Sequence, residues 1–323
     1  MNELYKFLLI KTKRNNYKNN YYKNNYENSI LTDDQTIFIT IVSVDCINFI
    51  SNNLYDFFIQ KGWKCNIIKH NELNKFVSLY SMYPNHYFFI FCIHLIDPKI
   101  NLPKNKYIIY QLEQNTDNKL SHHYKNIDIQ KYLLNSKLNL DYSYENINVF
   151  TNILNITPIF LPIPIKKNII NITNTIKKYD IVFIGSINKR RLTILNYLKK
   201  NYNIFIPKKP LYDNNLYKLY SESKILLNIH YYENAILEIP RINEALCCSN
   251  IRIISEKSNN IDIYNEYKSA INFIEVIDNN YDEIIFEINK ILSSYDSEII
   301  NNNSIINNLE NKYFNIINDI FIL

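Results

Sequence analysis

The stretch KILLNIHYYENAILEIPRINEALCCSNIRIISE, residues 224–256, has the pattern of a strand, a loop, a helix and a second strand. Residues 224–229 are mostly apolar and bounded by polar residues, which is typical of a strand buried on both faces in a parallel sheet. Pro240 suits the first turn of a helix, where its missing N–H would have no partner, and Glu238 suits the positive end of the helix dipole. The stretch therefore predicts a helix that begins near Ile239.

Two charged residues of this helix, Arg241 and Glu244, are three positions apart and share one helical face. In an open α/β sheet, ligands bind beyond the carboxyl ends of the strands, and the loop before this helix starts there. We therefore expect both side chains to face a ligand. An ordinary surface ion pair, worth about 0.5 kcal/mol or less, explains the same spacing equally well.

The rest of the chain repeats the alternation of strands and helices in two halves, separated by the proline-bearing segment LPIPI. Its 323 residues suit two domains of ordinary size. We predict an α/β protein in which two Rossmann-like domains face each other across a cleft. The predicted parts are a flexible low-complexity segment (1–30), a first domain (31–165), a second domain (166–298) and a C-terminal helix that packs back toward the first domain (299–323).

Single elements of the first half are also predicted. The apolar run 86–95 predicts one fully buried strand. Helical spacing over residues 47–61, followed by Gly62, predicts a helix with a glycine cap. Residues 119–136 predict one further helix, and Ser143 is expected to cap another that ends at residue 154.

Charge and cysteine content exclude several classes of protein. The net charge of +5 is mild and no Lys/Arg block interleaves with aromatic residues, so nucleic-acid binding is not expected. The longest apolar window, residues 87–96, is about half the length that spans a bilayer, and the N-terminal apolar run is too short for a signal peptide. Five cysteines without CxxC spacing predict buried, reduced thiols. We expect a cytoplasmic protein without a transmembrane segment, or a viral one, because the abundance of Asn, Ile, Lys and Tyr fits an AT-rich genome such as that of a large DNA virus.

A second informative stretch is DIVFIGSINKRRLTILNYL, residues 180–198. It predicts a strand, a Gly-Ser turn and a helix with three basic residues in its first turn. Backbone N–H groups and guanidinium groups can converge there on an anion such as phosphate. A basic helix start on the surface explains the pattern as well. A P-loop and the dinucleotide fingerprint are excluded, because the turn has a single glycine.

Together, the two stretches resemble the C-terminal, donor-binding domain of the group 1 glycosyltransferases of GT-B fold. The resemblance rests on GS followed by RR, and then on LLNIHYYEN, LEIPRINEAL and IISE. In the first half, KYIIYQLEQ and LDYSYENINVF resemble the matching acceptor domain. The resemblance covers roughly residues 85–290 and is most specific over residues 237–256.

This resemblance implies a nucleotide-diphosphate-sugar donor that lies in the cleft, with no cofactor. Glu244 matches the glutamate that hydrogen-bonds the ribose hydroxyls of the donor. Arg241, on the same helical face, would orient Glu244 or contact phosphate. His230, Glu233 and Asn234 would lie in the loop that faces the transferred sugar.

The same resemblance assigns the pyrophosphate of the donor to the Gly-Ser turn. Gly185, Ser186 and Arg190 match the turn that approaches the pyrophosphate. Lys189 or Arg191 would neutralise the charge of the leaving group as the bond to the sugar breaks. Enzymes of this fold need no metal, and the sequence has no DxD motif that would suggest one.

The sequence departs from the family pattern at three places. The family pattern is Glu-x7-Glu; in this sequence Leu237 stands seven positions before Glu244, and Glu238 stands six positions before it. Ser249 occupies the position of the usual glycine after the helix. Ser-Val-Asp, residues 43–45, replaces the glycine-rich loop of the first strand.

The resemblance favours transfer with retention, in which the leaving phosphate takes the proton of the acceptor hydroxyl. An inverting enzyme would need a base from the first domain, and the candidates are Asp45, His70 and His94. Each has a structural alternative. His94 lies in an apolar run and is expected to be a core histidine with satisfied hydrogen bonds.

We therefore predict a glycosyltransferase that moves a sugar from a nucleotide-diphosphate sugar to a hydroxyl group of a glycan, a protein or a small-molecule acceptor. The alternative is a catalytically inactive GT-B-like module that binds a glycan or a nucleotide. A Rossmann-type methyltransferase or dehydrogenase is disfavoured, because neither half has a glycine-rich turn with an acidic residue about twenty positions later.

Overall fold

The structure is a computed structural model that describes residues 36–115, 119–166, 175–233, 235–248, 251–258, 260–277, 280–295 and 302–321. The segment 1–30, predicted to be flexible, lies outside these residues. The described residues form two β-sheets, one of six strands and one of five. This arrangement is compatible with the predicted pair of Rossmann-like domains.

The first sheet has the strand order β2-β1-β3-β4-β5-β6, with every pairing parallel. Its strands are β1 (Phe38–Ser43), β2 (Lys64–Lys69), β3 (His86–Phe91), β4 (Tyr107–Gln111), β5 (Leu138–Asp141) and β6 (Ile159–Phe160). The helices of this half are α1 (Asn48–Gln60), α2 (Leu73–Tyr80), α3 (Ile127–Asn135) and α4 (Tyr144–Leu154). All residues of β1 and β3 are buried, as expected for central parallel strands. The strand order reverses between β1 and β3.

The second sheet has the strand order β11-β10-β9-β7-β8, again with parallel pairings. Its strands are β7 (Tyr179–Val182), β8 (Ile204–Phe205), β9 (Ser223–Asn228), β10 (Arg252–Glu256) and β11 (Ile271–Ile274). The helices of this half are α5 (Lys189–Leu198), α6 (Asp213–Ser221), α7 (Ile239–Leu246), α8 (Ile261–Tyr267) and α9 (Asp282–Ser294). Here the strand order reverses between β7 and β9.

The elements predicted from residues 224–256 are present as β9, α7 and β10. Pro240 lies in the first turn of α7, which begins at Ile239 as predicted. The two predicted caps in the first half are also confirmed. Gly62 has a φ of +79°, the left-handed backbone that ends α1, and the hydroxyl of Ser143 accepts a hydrogen bond from the N–H of Asn146 at the start of α4.

Two predictions about local structure were wrong, and one helix was missed. The strand predicted over residues 86–95 ends at Phe91, because Cys92 has a φ of +48° and turns the chain into a short 3-10 helix, Ile93–Leu95. The helix predicted over residues 119–136 is interrupted, because extended Asn126 separates the 3-10 helix His122–Lys125 from α3 and caps α3 with its side chain. Helix α8 was not predicted.

The last helix, α10 (Asn303–Ile320), ends against the aromatic core of the first sheet. The ring of Phe321 lies 5.3 Å from that of Phe58 and 6.1 Å from that of Trp63. Burying one such aromatic ring contributes roughly 1.5–3 kcal/mol. None of the helices formed by the described residues combines the length and the apolar character needed to span a bilayer.

The thiols are free, as predicted, but not all of them are buried. Cys65, Cys247 and Cys248 are buried, Cys92 is half-buried and Cys46 is exposed. Cys46 lies in the short 3-10 helix that follows β1, at the edge of the sheet rather than within it. The prediction that all five cysteines are buried was therefore wrong for Cys46.

Candidate functional site

A cavity of about 560 Å³ lies between the carboxyl edges of the two sheets. Its walls come from residues that follow β1, β4 and β5 on one side, and β7 and β8 with part of α7 on the other. Open α/β sheets bind ligands at this edge. From the first sheet the walls include Asp45, Cys46, Leu112, Gln114 and Tyr142, and from the second Gly185, Ser186, Lys208, Lys209, Glu238, Arg241 and Glu244.

Hydrogen bonds join the two halves of the protein at the margins of this cavity. The Asn48 side-chain amide donates to Asp213 Oδ2 at 2.9 Å. The Gln114 side-chain amide donates to the carbonyl oxygen of Ile236 at 2.9 Å. Both bonds link a residue of the first half to a residue of the second, so the walls of the cavity are held together by polar contacts as well as by packing.

The turn after β7 brings a glycine against two guanidinium groups. Gly185 has a φ of +137°, a backbone conformation that favours glycine. A Cβ at this position would lie 2.8 Å from Arg241 Nη2 and 3.3 Å from Arg191 Nη1. The absence of a side chain therefore lets Arg241 reach the backbone of the turn. Arg241 Nη1 in turn donates to Asn228 Oδ1 at 2.6 Å, which fixes the guanidinium at the wall of the cavity.

Glu244 projects from α7 into the cavity and is partly buried. Burial and the nearby charge of Asp213 raise the pKa of the Glu244 carboxyl to about 7, against the opposing effects of a hydrogen bond from Tyr217 and the charge of Arg241. A glutamate that titrates near neutrality in a cleft is a candidate for direct contact with a ligand.

Arg190 is bound by a carboxylate of the protein itself. Its Nη2 lies 2.5 Å from Glu256 Oε1 and its Nη1 lies 2.9 Å from Glu256 Oε2. Glu256 also accepts a hydrogen bond of 2.8 Å from the backbone N–H of His230. We predicted that Arg190 and Glu244 face one cleft. Glu244 does line the cavity, whereas Arg190 is not among the described residues that line it.

Arg191 stabilises the turn that carries Gly185. Its side chain is only 3% exposed, and Nη1 donates to the carbonyl oxygen of Ser186 at 2.8 Å. Nε donates to the carbonyl oxygen of Ile229 at 2.9 Å, and Nη2 donates to Glu238 Oε1 at 3.1 Å. Burial lowers the pKa of Arg191 to about 10. Arg191 therefore ties the ends of β7 and β9 together instead of projecting into the cavity.

His230 lies behind a carboxylate that lines the cavity. The ring is fully buried, with Nδ1 2.8 Å from Glu238 Oε2. Although burial alone raises the pKa of Glu238, the hydrogen bond and charge of His230, the charge of Arg241 and a hydrogen bond from Asn228 lower it to about 2. Glu238 is therefore ionised at neutral pH, and His230 orients it. We predicted that His230 faces the transferred sugar; the structure instead has it in contact with Glu238.

The remaining predicted residues lie on the outer surface. Lys189, the first residue of α5, and Glu233, in the loop after β9, are both exposed. Neither is among the described residues that line the cavity. Asn234, predicted to face the sugar, lies outside the described residues.

Two cations that were not predicted, Lys208 and Lys209, also line the cavity wall. They belong to the segment Pro-Lys-Lys-Pro, residues 207–210, which follows β8. Proline on both sides of a lysine pair is a visible signal for a short, stiff loop. Their relevance depends on the pairing of β8 with β7, which brings this loop beside the Gly185 turn.

The candidate bases of the first half differ in position. Asp45 lines the cavity and forms an ion pair with Lys69. His70 Nε2 lies 2.8 Å from the carbonyl oxygen of Phe91, so its ring is held by the backbone. His94 lies in the turn after β3 and has a different environment, described below.

Comparisons with known proteins identify relatives but no family, since no family model matches the chain. The chain is 26% identical over 208 residues, 62% of its length, to an uncharacterized protein of Acanthamoeba polyphaga mimivirus, of which the match covers 22%. It is 31% identical over 164 residues, 50% of its length, to a second uncharacterized protein of the same virus, of which the match covers 56%. The chain thus spans about one fifth and just over half of the lengths of these two relatives.

Proposed function

We propose that this protein is a glycosyltransferase of GT-B type that transfers a sugar from a nucleotide-diphosphate sugar to an acceptor hydroxyl, with retention and without a metal in the transfer step. One observation carries the proposal. The cavity between the two parallel sheets brings together a glycine turn, a fixed guanidinium group and a carboxylate, from Gly185, Arg241 and Glu244.

The diphosphate would bind at the wall formed by the second sheet. The turn at Gly185 and Ser186 allows close approach of a ligand to the backbone, and Arg241 is held against it. Lys208 and Lys209 add positive charge from the neighbouring loop. Fixed cations stabilise the charge that develops on a diphosphate leaving group, and this is the main electrostatic requirement of the reaction. In this proposal Arg241 and the two lysines replace the basic residues of α5.

The ribose would bind to Glu244, whose ionised form accepts hydrogen bonds from hydroxyl groups. Because the pKa of Glu244 is about 7, binding of the donor favours the ionised carboxylate and should strengthen as pH rises toward 8. The acceptor would enter from the wall formed by the first sheet, where Asp45 and Gln114 lie. In a retaining reaction the leaving phosphate takes the acceptor proton, so no base is required there.

The second candidate, an inactive module that binds a nucleotide or a glycan, is favoured by the pairing of basic groups. Arg190 is engaged by Glu256 and Arg191 by Glu238, so two of the three cations expected at the pyrophosphate already have carboxylate partners. A site with less positive charge can bind a nucleotide without stabilising the negative charge that develops on a departing diphosphate.

A donor screen tests the proposal. Thermal-shift measurements with UDP-, GDP- and ADP-sugars identify a donor, and slow release of the nucleoside diphosphate is then followed without acceptor. We expect Glu244→Ala to abolish this release, and Glu275→Ala, which changes an exposed carboxylate paired with Lys257, to leave it unchanged. Binding of a donor without release across all three classes would support the inactive module, and no binding of any donor would contradict both the enzyme and a nucleotide-binding module.

We also propose that a virus encodes this chain. Both relatives are proteins of a giant virus, which supports the expectation that an AT-rich viral genome encodes this protein. A viral enzyme of this kind would act in the cytoplasm of the host cell.

A further inference from the structure

A cluster of three potential metal ligands lies at the carboxyl edge of the first sheet. His94 follows β3, Glu113 follows β4, and His123 belongs to the 3-10 helix before α3. His94 Nε2 is 3.7 Å from Glu113 Oε1, and the rings of His94 and His123 stack with centroids 4.1 Å apart. One ligand atom from each residue lies within 4.8 Å of the other two. The three side chains come from separate segments, and only the fold brings them together.

Burial distinguishes this cluster from a chance grouping on the surface. The His94 side chain is 9% exposed, and its Nδ1 is buried with no hydrogen-bond partner among the described residues. Its Nε2 is too far from Glu113 for a hydrogen bond. We predicted a core histidine with satisfied hydrogen bonds. His94 is buried but its hydrogen bonds are not satisfied, and Nε2, the nitrogen 3.7 Å from Glu113, is the one that faces the cluster.

The charge state of the cluster suits a metal ion. Burial, followed by the charges of His123, His70 and His122, lowers the pKa of His94 to about 4. Burial and the charge of His122 also lower the pKa of His123, against the charge of Glu113. The lowered pKa of His94 leaves its ring uncharged at neutral pH, and an uncharged imidazole has a lone pair that can bind a metal. The contact between His94 and Glu113 is accordingly not an ion pair.

We propose that His94, Glu113 and His123 bind one divalent transition metal ion of the Zn²⁺ class. Two imidazoles and one carboxylate are a donor set that such ions accept, and three protein ligands leave a coordination position open. Glu113 is 40% exposed, so this position faces solvent and can take a water molecule. Ligand atoms of a tetrahedral zinc site lie about 3.3 Å apart, so side-chain shifts of roughly 1 Å would complete the site.

This metal site is separate from the donor site and does not depend on the proposed transfer reaction. The donor site lies on the second sheet, whereas the three ligands belong to the first. Gln114, adjacent to Glu113, lines the cavity, so a bound ion would lie near the wall where an acceptor enters. The transfer itself needs no metal in the proposal above, and the ion would affect that wall only.

Metal titration of the full chain tests the site. The chain is stripped with a chelator and titrated with Zn²⁺ by calorimetry, and with Co²⁺, whose visible absorption reports its coordination geometry. We expect one ion per chain. Glu113→Gln and His123→Gln, which change partly exposed side chains, should each weaken binding by at least about tenfold, as the loss of a ligand requires.

Two neighbouring residues provide matched controls. The His122 ring lies 3.8 Å from that of His123, tilted by 39°, but His122 is not one of the three converging ligands, and Cys46 is an exposed thiol at the same edge of the sheet. His122→Gln and Cys46→Ser should change the affinity by less than about threefold. Circular dichroism shows that each variant is folded. The proposal would be overturned if the parent chain bound no stoichiometric amount of Zn²⁺ or Co²⁺. It would also be overturned if the double variant Glu113→Gln/His123→Gln bound the ion with unchanged affinity.

Discussion

The carboxyl edges of the two sheets occupy equivalent positions in similar topologies, yet their polar groups are organised in opposite ways. At the second sheet, buried charges neutralise one another, since Arg190 binds Glu256 and Arg191 binds Glu238, while the His230 ring also contacts Glu238. At the first sheet, His94 retains a buried ring nitrogen without a partner among the described residues.

The difference bears on how a ligand could bind at each edge. Buried ion pairs with good geometry hold side chains in one arrangement, so the cations proposed to meet an anion at the second edge are Arg241 and the two lysines that line the cavity. Imidazole nitrogens beside the Glu113 carboxylate offer a set of metal ligands, so in the metal proposal an ion from solvent would complete the first edge. The predictions below test the two descriptions, beginning with the largest effect.

Breaking the Glu256 pair should cause the largest loss of stability. Glu256 is 8% exposed, and Glu256→Gln would leave the Arg190 cation buried without its carboxylate. We expect a loss of about 3–5 kcal/mol. Glu275→Gln, in the exposed pair with Lys257, should cost less than about 1 kcal/mol. Urea unfolding followed by circular dichroism measures both, and equal effects would show that the second edge does not rely on buried pairs.

The two glycines of the chain allow a matched test of the turn at the donor site. A Cβ at Gly185 would meet Arg241 Nη2 at 2.8 Å, whereas a Cβ at Gly62 would meet no atom within 4 Å. Both residues have positive φ, so both alanine variants should lose about 1–3 kcal/mol of stability through backbone strain. Only Gly185→Ala should also weaken binding of a nucleoside diphosphate, by about tenfold or more, because Arg241 must move. Equal weakening in both variants would argue against the turn as a binding element.

Replacing Glu244 should change the pH dependence of stability. The pKa of Glu244 in the folded protein, about 7, lies above its ordinary value of 4.5, so its contribution is complete below pH 4.5 and is lost as pH rises through 7. Gln cannot ionise and removes this loss. Glu244→Gln should therefore raise the free energy of unfolding by on the order of 2 kcal/mol at pH 8 and by much less at pH 4.5. Thermal unfolding at the two pH values measures the difference; an equal change at both would contradict the raised pKa.

The smallest effect concerns the lysines. Lys209 lines the cavity and Lys189 does not, although Lys189 stands at the start of α5. Lys209→Ala should weaken binding of a nucleoside diphosphate a few-fold at low salt, with a smaller effect at high salt, because an exposed charge contributes about 1 kcal/mol or less. Lys189→Ala should have no measurable effect. A larger loss of binding in Lys189→Ala than in Lys209→Ala would instead indicate that the basic first turn of α5 binds the phosphate.

The local structure of the second sheet could be predicted well because its signals are local. Apolar runs predicted β9. Pro240 and the acidic residue before it, Glu238, predicted α7 and its start at Ile239. The interrupted helix near Asn126 and the early end of β3 at Cys92 could not be predicted. Each depends on the backbone conformation of a single residue, which hydrophobic periodicity does not report.

The candidate site could be predicted only in part. Glu244 and Arg241 were predicted from helical spacing, and both line the cavity. Arg190 carries the same charge as Arg241 and follows the expected turn, but the carboxylate that binds it is 66 positions away in the sequence. Periodicity shows which face of its own helix a residue occupies and says nothing about a partner on another strand.

Hydrophobic spacing and backbone preferences act within one segment of the chain. They were therefore enough to predict the α/β class, the two halves, a glycine turn and an acidic helix face. The tertiary structure alone decided which charges are paired with one another and which face the cavity. It also decided that His94, Glu113 and His123 meet. The physical reason is that parallel strands place residues distant in sequence at one common edge, and the energy of a charge depends on what lies next to it in that fold.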